Sequence, residues 1–274
     1  MADSILKRVA TSFLIIAIAW AVTFFLPKWV FCILTTLFIA FALNEFFSVV
    51  EKKNIVVYKY FGTTAGVILP IAIYLHLGEG YTNLEPFFIV IACLFMFILQ
   101  LIRRDKAQDH LVSIAVTLFA LFYISWFFSF FIKIRYMPHG EWLVSFLILV
   151  TKSGDVGAYF IGKRFGKNVL IPRISPRKTR EGAIGGLFFS ILFAIICKSF
   201  VPGITYIHAL LLGALLGVIG QVGDLAESLL KRDFDIKDSS ENLPGLGGVL
   251  DVIDSLLFTA PIFYFYLIIL INPL

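Results

Sequence analysis

Residues 210–232 read LLLGALLGVIGQVGDLAESLLKR. The stretch is long enough to supply the ~20 residues that cross a hydrocarbon core. Gly213, Gly217, Gly220, Asp224, Glu227 and Lys231 follow one another at steps of four, three, four, three and four. In a helix that spacing puts all six on one stripe. Its glycines let a second helix approach closely. Asp224 lies about two turns inside the span, where an ionisable group is costly and marks a candidate site. Ser228 lies one turn further along the same face. Glu227 and Lys231 also admit a plainer reading, a helix-end ion pair.

The rest of the chain has the same character. Of its 274 residues, 59% are hydrophobic, and the mean hydropathy is +0.93. Long apolar runs between short charged loops specify an all-α, polytopic integral membrane protein with about nine transmembrane helices. The expected spans are roughly 9–26, 28–50, 60–77, 86–102, 110–132, 141–162, 182–201, 205–230 and 249–272. The first run continues past Ala17-Ile18-Ala19, so an uncleaved span is expected there rather than a signal peptide. Nine spans sort the Lys and Arg residues eighteen to one side and four to the other, with Lys152 inside a span. The positive-inside rule then puts the N-terminus in the cytoplasm and the C-terminus outside. The net charge of +5 belongs to these loops and to anionic lipid, with no reason to invoke nucleic acid. Cys32, Cys93 and Cys197 lie in apolar runs as small buried hydrophobes. Residues 1–140 carry few chemically capable groups and form an expected scaffold; residues 141–274 form the expected catalytic region.

Three more segments carry that chemistry. In LPGLGGVLDVIDSLLF a helix is expected to begin near Gly248, placing Asp251 and Asp254 in its first turns with Ser255 nearby. An acidic first turn suits the positive end of a helix. The same carboxylates, opposite Asp224, also make an oxygen-rich pocket suited to Mg²⁺. The loop over residues 163–186 holds seven basic residues within 18 positions. Its plain reading is one more positive-inside loop. Its other reading is a phosphate site, with Ser175, Thr179 and backbone N–H groups at the next helix start as donors. In TKSGDVGAYFIGKRFG, Asp155 and Tyr159 are one turn apart, and Lys152 stands one turn earlier as a neutralising partner. Metal-binding carboxylates beside a basic loop at the membrane surface point to phosphoryl or nucleotidyl transfer on a lipid.

These blocks resemble the phosphatidate cytidylyltransferases, or CDP-diacylglycerol synthases. The family pattern S-x-x-K-R, K-D, P-G-H-G-G-x-x-D-R-x-D is matched by Ser228, Lys231-Arg232, Lys237-Asp238, Pro244-Gly245, Gly247-Gly248, Asp251 and Asp254. Ser175-Pro176-Arg177-Lys178-Thr179 with Glu181-Gly182 resembles its S-P-K-K-T-x-E-G block. Asp155, Ala158-Tyr159-Phe160, Gly162 and Gly166 look like a further block. The resemblance spans about 154–258 and implies a nucleotidyltransferase that converts CTP and phosphatidate into CDP-diacylglycerol and diphosphate. It implies Mg²⁺ held by Asp224 and Asp251, K⁺ as a second cation, and a homodimer. Asp254 would support the metal centre. Lys231, Ser175, Arg177, Lys178 and Thr179 would contact phosphates, Asp155 and Tyr159 would complete the polar cavity, and Ser228, Arg232, Lys237 and Asp238 would join the substrate site. A bacterial inner membrane is the expected location, with the site facing the cytoplasm.

The chain departs from the pattern at Leu246, where the family has His, at Val252, where it has Arg, and at Arg180. The retained carboxylates and Lys231-Arg232 favour a divergent active enzyme over an inactive relative. A CTP-dependent polyprenol or phytol kinase and a transporter with a midplane ion site are the competing readings. The fuller motif argues against the first. Charges clustered near one face, without an inverted repeat, argue against the second.

Overall fold

A computed structural model describes residues 16–77, 84–103, 109–236, 239–240 and 247–271. Nine helical segments occur among the described residues. They are α1 (Ile16–Phe25), α2 (Lys28–Glu51), α3 (Lys59–His76), α4 (Leu84–Ile102), α5 (His110–Tyr136), α6 (Gly140–Phe165), α7 (Arg180–Lys198), α8 (Tyr206–Asp233) and α9 (Val249–Ile271). Seven of them, all but α1 and α3, are long and apolar enough to cross a membrane. The architecture is that of an all-α polytopic membrane protein. The expected span 60–77 is a helix, α3, but Lys59, two threonines, Pro70 and His76 dilute its apolar run. Residues 9–15 of the first expected span lie outside the described residues.

Local chemistry explains several boundaries. Pro27 stands between α1 and α2 in an extended conformation, and its carbonyl accepts the Val30 amide at 3.0 Å. A proline cannot continue α1 but is well suited to opening α2. Thr179 caps α7 by accepting the Gly182 amide at 3.1 Å, and Thr205 caps α8 by accepting the His208 amide at 3.3 Å. Each cap satisfies a backbone donor that the first helical turn leaves without a partner.

The helices α6, α7, α8 and α9 pack in succession, and α2 and α5 close against α9. Lipid is as apolar as leucine, so close approach and van der Waals contact hold such helices together. Glycines provide that approach. A Cβ at Gly157 would stand 2.6 Å from the Phe189 side chain of α7. Phe47, Phe130, Phe146 and Phe263 fill the core between α2, α5, α6 and α9. Large apolar side chains such as Leu101 and Ile207 face outward, as expected of lipid-facing positions.

The β-strands described lie in the basic segment. Val169–Ile171 (β1) pairs antiparallel with Ser175–Thr179 (β2), so the expected loop is a short hairpin leading into α7. Glu181 pins its start, accepting the Lys167 amide at 3.1 Å and the Asn168 side chain at 2.8 Å. Arg232 of α8 pins its turn, donating Nε to the Ile174 carbonyl at 3.1 Å.

Candidate active site

Lysines meet carboxylates at three points where α6, α8, α9 and the hairpin converge. Lys178 of β2 pairs with Asp224 of α8 at 2.7 Å and donates to Ser228 Oγ at 3.4 Å. Lys231 of α8 pairs with Glu227 on its own helix and with Asp251 of α9 at 2.6 Å. Lys152 of α6 pairs with Asp155 at 3.0 Å, donates to Ser255 Oγ of α9 at 2.8 Å and lies 3.9 Å from Asp254. Buried charges need such partners, because an isolated one in a low-dielectric interior is prohibitively costly. The plainer readings of Glu227–Lys231 and of Lys152–Asp155 as ion pairs are therefore what the structure contains.

Two cavities adjoin this cluster. One, of about 490 Å³, is lined by the hairpin and the ends of α6 and α8, including Tyr159, Lys163, Ser175, Arg177, Lys178 and Asp224. It also reaches Thr179, whose hydroxyl is engaged in capping α7. The other, of about 390 Å³, is walled by Phe31, Phe38, Phe128 and Phe131, with Lys152 and Asp251 also on its lining. Asp155 borders both. A basic chamber thus adjoins an apolar one at a carboxylate neutralised by Lys152.

Asp224 and Asp251, the expected Mg²⁺ ligands, each carry a lysine in this arrangement, Lys178 and Lys231. A carboxylate offers about four acceptor directions. Asp251 uses Oδ1 for Lys231, while Oδ2 accepts the Gly248 amide at 2.7 Å, the Ser239 hydroxyl at 2.8 Å and the Ser239 amide at 3.1 Å. Asp251 therefore caps the start of α9, the plainer of its two expected roles. Asp224 lies on the basic chamber with Lys178. Among the described residues, no group of three or more His, Cys, Asp or Glu side chains is placed to hold a metal ion.

The other expected residues divide. Asp155, Tyr159, Ser175, Arg177, Lys178, Thr179 and Asp224 share the basic chamber. Asp254 lies behind Lys152, with Oδ1 accepting the Ser255 amide at 2.5 Å. Arg232 holds the hairpin turn. Lys237, Asp238, Pro244, Gly245 and Leu246 lie outside the described residues.

Glu45 was missed by sequence reasoning. It sits within α2, is 4% exposed, and accepts the Val249 and Leu250 amides at the start of α9, each at 3.0 Å. The signal was available: a lone carboxylate deep in an apolar span is the same anomaly that singled out Asp224.

The profile of the cytidylyltransferase family matches residues 6–270. The phosphatidate cytidylyltransferase of Bacillus subtilis (strain 168) is 39% identical over 192 residues, covering 69% of this chain and 70% of that protein. An uncharacterized Escherichia coli (strain K12) protein, YnbB, is 39% identical over 152 residues, or 56% of this chain and 50% of its own length. The phosphatidate cytidylyltransferase of Synechocystis sp. (strain ATCC 27184 / PCC 6803 / Kazusa) is 30% identical over 98% of both chains.

Proposed function

The chain belongs to the cytidylyltransferase family, and from that premise we propose that it converts CTP and phosphatidate into CDP-diacylglycerol and diphosphate. The observation carrying this reading is the meeting of a basic and an apolar chamber at Asp155. Arg177, Lys178 and Lys163 on the first suit a triphosphate. The phenylalanine-lined second suits the acyl part of a lipid whose phosphate reaches the boundary.

In this reading a phosphate oxygen of phosphatidate attacks the α-phosphorus of CTP in line. A P–O bond forms there, the bond between the α-phosphorus and the bridging oxygen to the β-phosphorus breaks, and diphosphate leaves with that electron pair. The nucleophile is already an oxyanion near neutral pH, so no side chain must remove a proton. The protein's part is to position the two phosphates and spread the developing charge over fixed cations. Lys178, Arg177, Lys152 and Lys231 are the groups for that task. As part of this proposal Mg²⁺ would be held by Asp224 and Asp251, with K⁺ as a second cation, and would supply further neutralisation of the triphosphate and the leaving diphosphate.

The same proposal includes a cytoplasmic-facing site, argued from the basic residues around the hairpin. Counting α1 and α3 as crossings gives nine spans; assembly as a homodimer rests on the family resemblance. The test uses purified protein, phosphatidate, and CTP labelled separately at the α- and γ-phosphates. Entry of the α-label into lipid with release of the γ-label as diphosphate is expected. Entry of the γ-label into a supplied polyprenol would assign the chain a kinase activity instead.

A further inference from the structure

We propose that Glu45 is a positioning residue for the transfer site: from α2 it anchors the start of α9, whose first turn carries Asp251, the carboxylate that fixes Lys231. This rests on the reading above for its effect on turnover, though not for the anchor itself. Among the described residues, three donors converge on the Glu45 carboxylate, and the Ser239 hydroxyl lies beside it. Oε1 accepts the Ser240 hydroxyl at 2.6 Å and the Val249 amide at 3.0 Å. Oε2 accepts the Leu250 amide at 3.0 Å and is 3.3 Å from the Ser239 hydroxyl. Val249 and Leu250 open α9, where N–H groups have no intrahelical acceptor and a negative charge is favoured.

The chain of contacts continues toward the site. The Ser239 hydroxyl has one proton and lies closer to Asp251 Oδ2, at 2.8 Å, than to Glu45. Asp251 Oδ1 in turn holds Lys231. Gly248 sits where these groups meet. A Cβ there would collide with Ser239 Oγ and with the Glu45 carboxylate, so the backbone must be bare at that point. Lys53, just beyond α2, pairs with Asp235, just beyond α8. The end of α2 is thus tied to both flanks of the α8–α9 connection.

Glu45→Gln is the decisive change. Whichever way the amide turns, its NH₂ replaces an oxygen that now accepts a helix-opening N–H. In purified full-length protein with CTP and phosphatidate, kcat should fall at least ~10-fold while KM for CTP changes less than ~3-fold, as expected for loss of positioning rather than of a substrate contact. Amide exchange should rise in peptides covering 247–255. Glu45→Asp keeps the charge with a shorter reach and should recover part of the lost kcat. Phe47→Leu, on the same helix but in the core, controls for folding. It should lower the thermal midpoint without lowering kcat per folded molecule. The proposal is overturned if Phe47→Leu, at matched stability, loses as much kcat as Glu45→Gln, or if exchange over 247–255 is unchanged in Glu45→Gln. Exchange needs no turnover. A wild-type chain inactive on these substrates would therefore refute the transfer reading, while exchange alone would decide the anchor.

Discussion

Lys231 stands between two carboxylates, Glu227 and Asp251, and both are largely buried. Removing one partner from such a group costs more than its hydrogen bond, because the remaining charges lose their balance. Asp251 also closes the first turn of α9 through the Gly248 amide. Asp251→Asn puts an NH₂ where either that amide or the Lys231 ammonium needs an acceptor. Turnover should therefore fall by roughly 10²-fold, the scale seen when one preorganised donor to a developing negative charge is lost. The measurement is labelled-CTP turnover at matched helicity by circular dichroism. Wild-type turnover in this variant would mean that Lys231 does its work without Asp251. The importance of Asp251 was legible in the sequence because a carboxylate beside Pro-Gly and Gly-Gly turns is conspicuous. Its role was not, because spacing along one helix says nothing about Ser239 and Gly248 folding back onto it.

At the scale of elements, the glycine stripe of α8 does what its spacing predicts. A Cβ at Gly213 would lie 2.7 Å from the Ile191 backbone and 2.9 Å from the Ala194 side chain on α7. Gly213→Leu should lower stability by about 1–3 kcal/mol through overpacking. Ile207→Leu, on the outward face, should leave it unchanged. Thermal unfolding in detergent separates the two, and an equal shift in both would refute the packing role of Gly213. The hairpin was harder to read. Three residues of β1 are too few for a strand periodicity to register among basic residues. What stabilises the turn and start of the hairpin lies outside its strands: Arg232 from α8, distant in sequence, and Glu181 from the first turn of α7.

At the scale of the whole molecule, charge asymmetry predicts orientation. The charge rule puts Arg173, in the hairpin turn, on the cytoplasmic side and Pro202, in the α7–α8 connection, on the other. In right-side-out vesicles, an impermeant maleimide should label Pro202→Cys at once and Arg173→Cys only after permeabilisation, with the three native cysteines replaced. The reverse pattern would invert the topology and put the basic chamber outside. The same scale governs α2. A helix from the first 140 residues delivers Glu45 to the start of the last helix, a contact between residues some two hundred positions apart.

The sequence alone determined the membrane class, the positions of the long spans, the helix faces where glycines permit close packing, and the blocks that identify the family. Each follows from local quantities: apolar run length, a 3.6-residue period, or residue types at short spacing. Tertiary structure decided which lysine neutralises which carboxylate, that Asp251 caps the start of α9, that two chambers of opposite character meet at Asp155, and that Glu45 reaches α9. Those outcomes depend on how buried charges and helix-end donors find partners across the bundle. Burial makes that matching obligatory, but only the packed helices determine which partners are within reach.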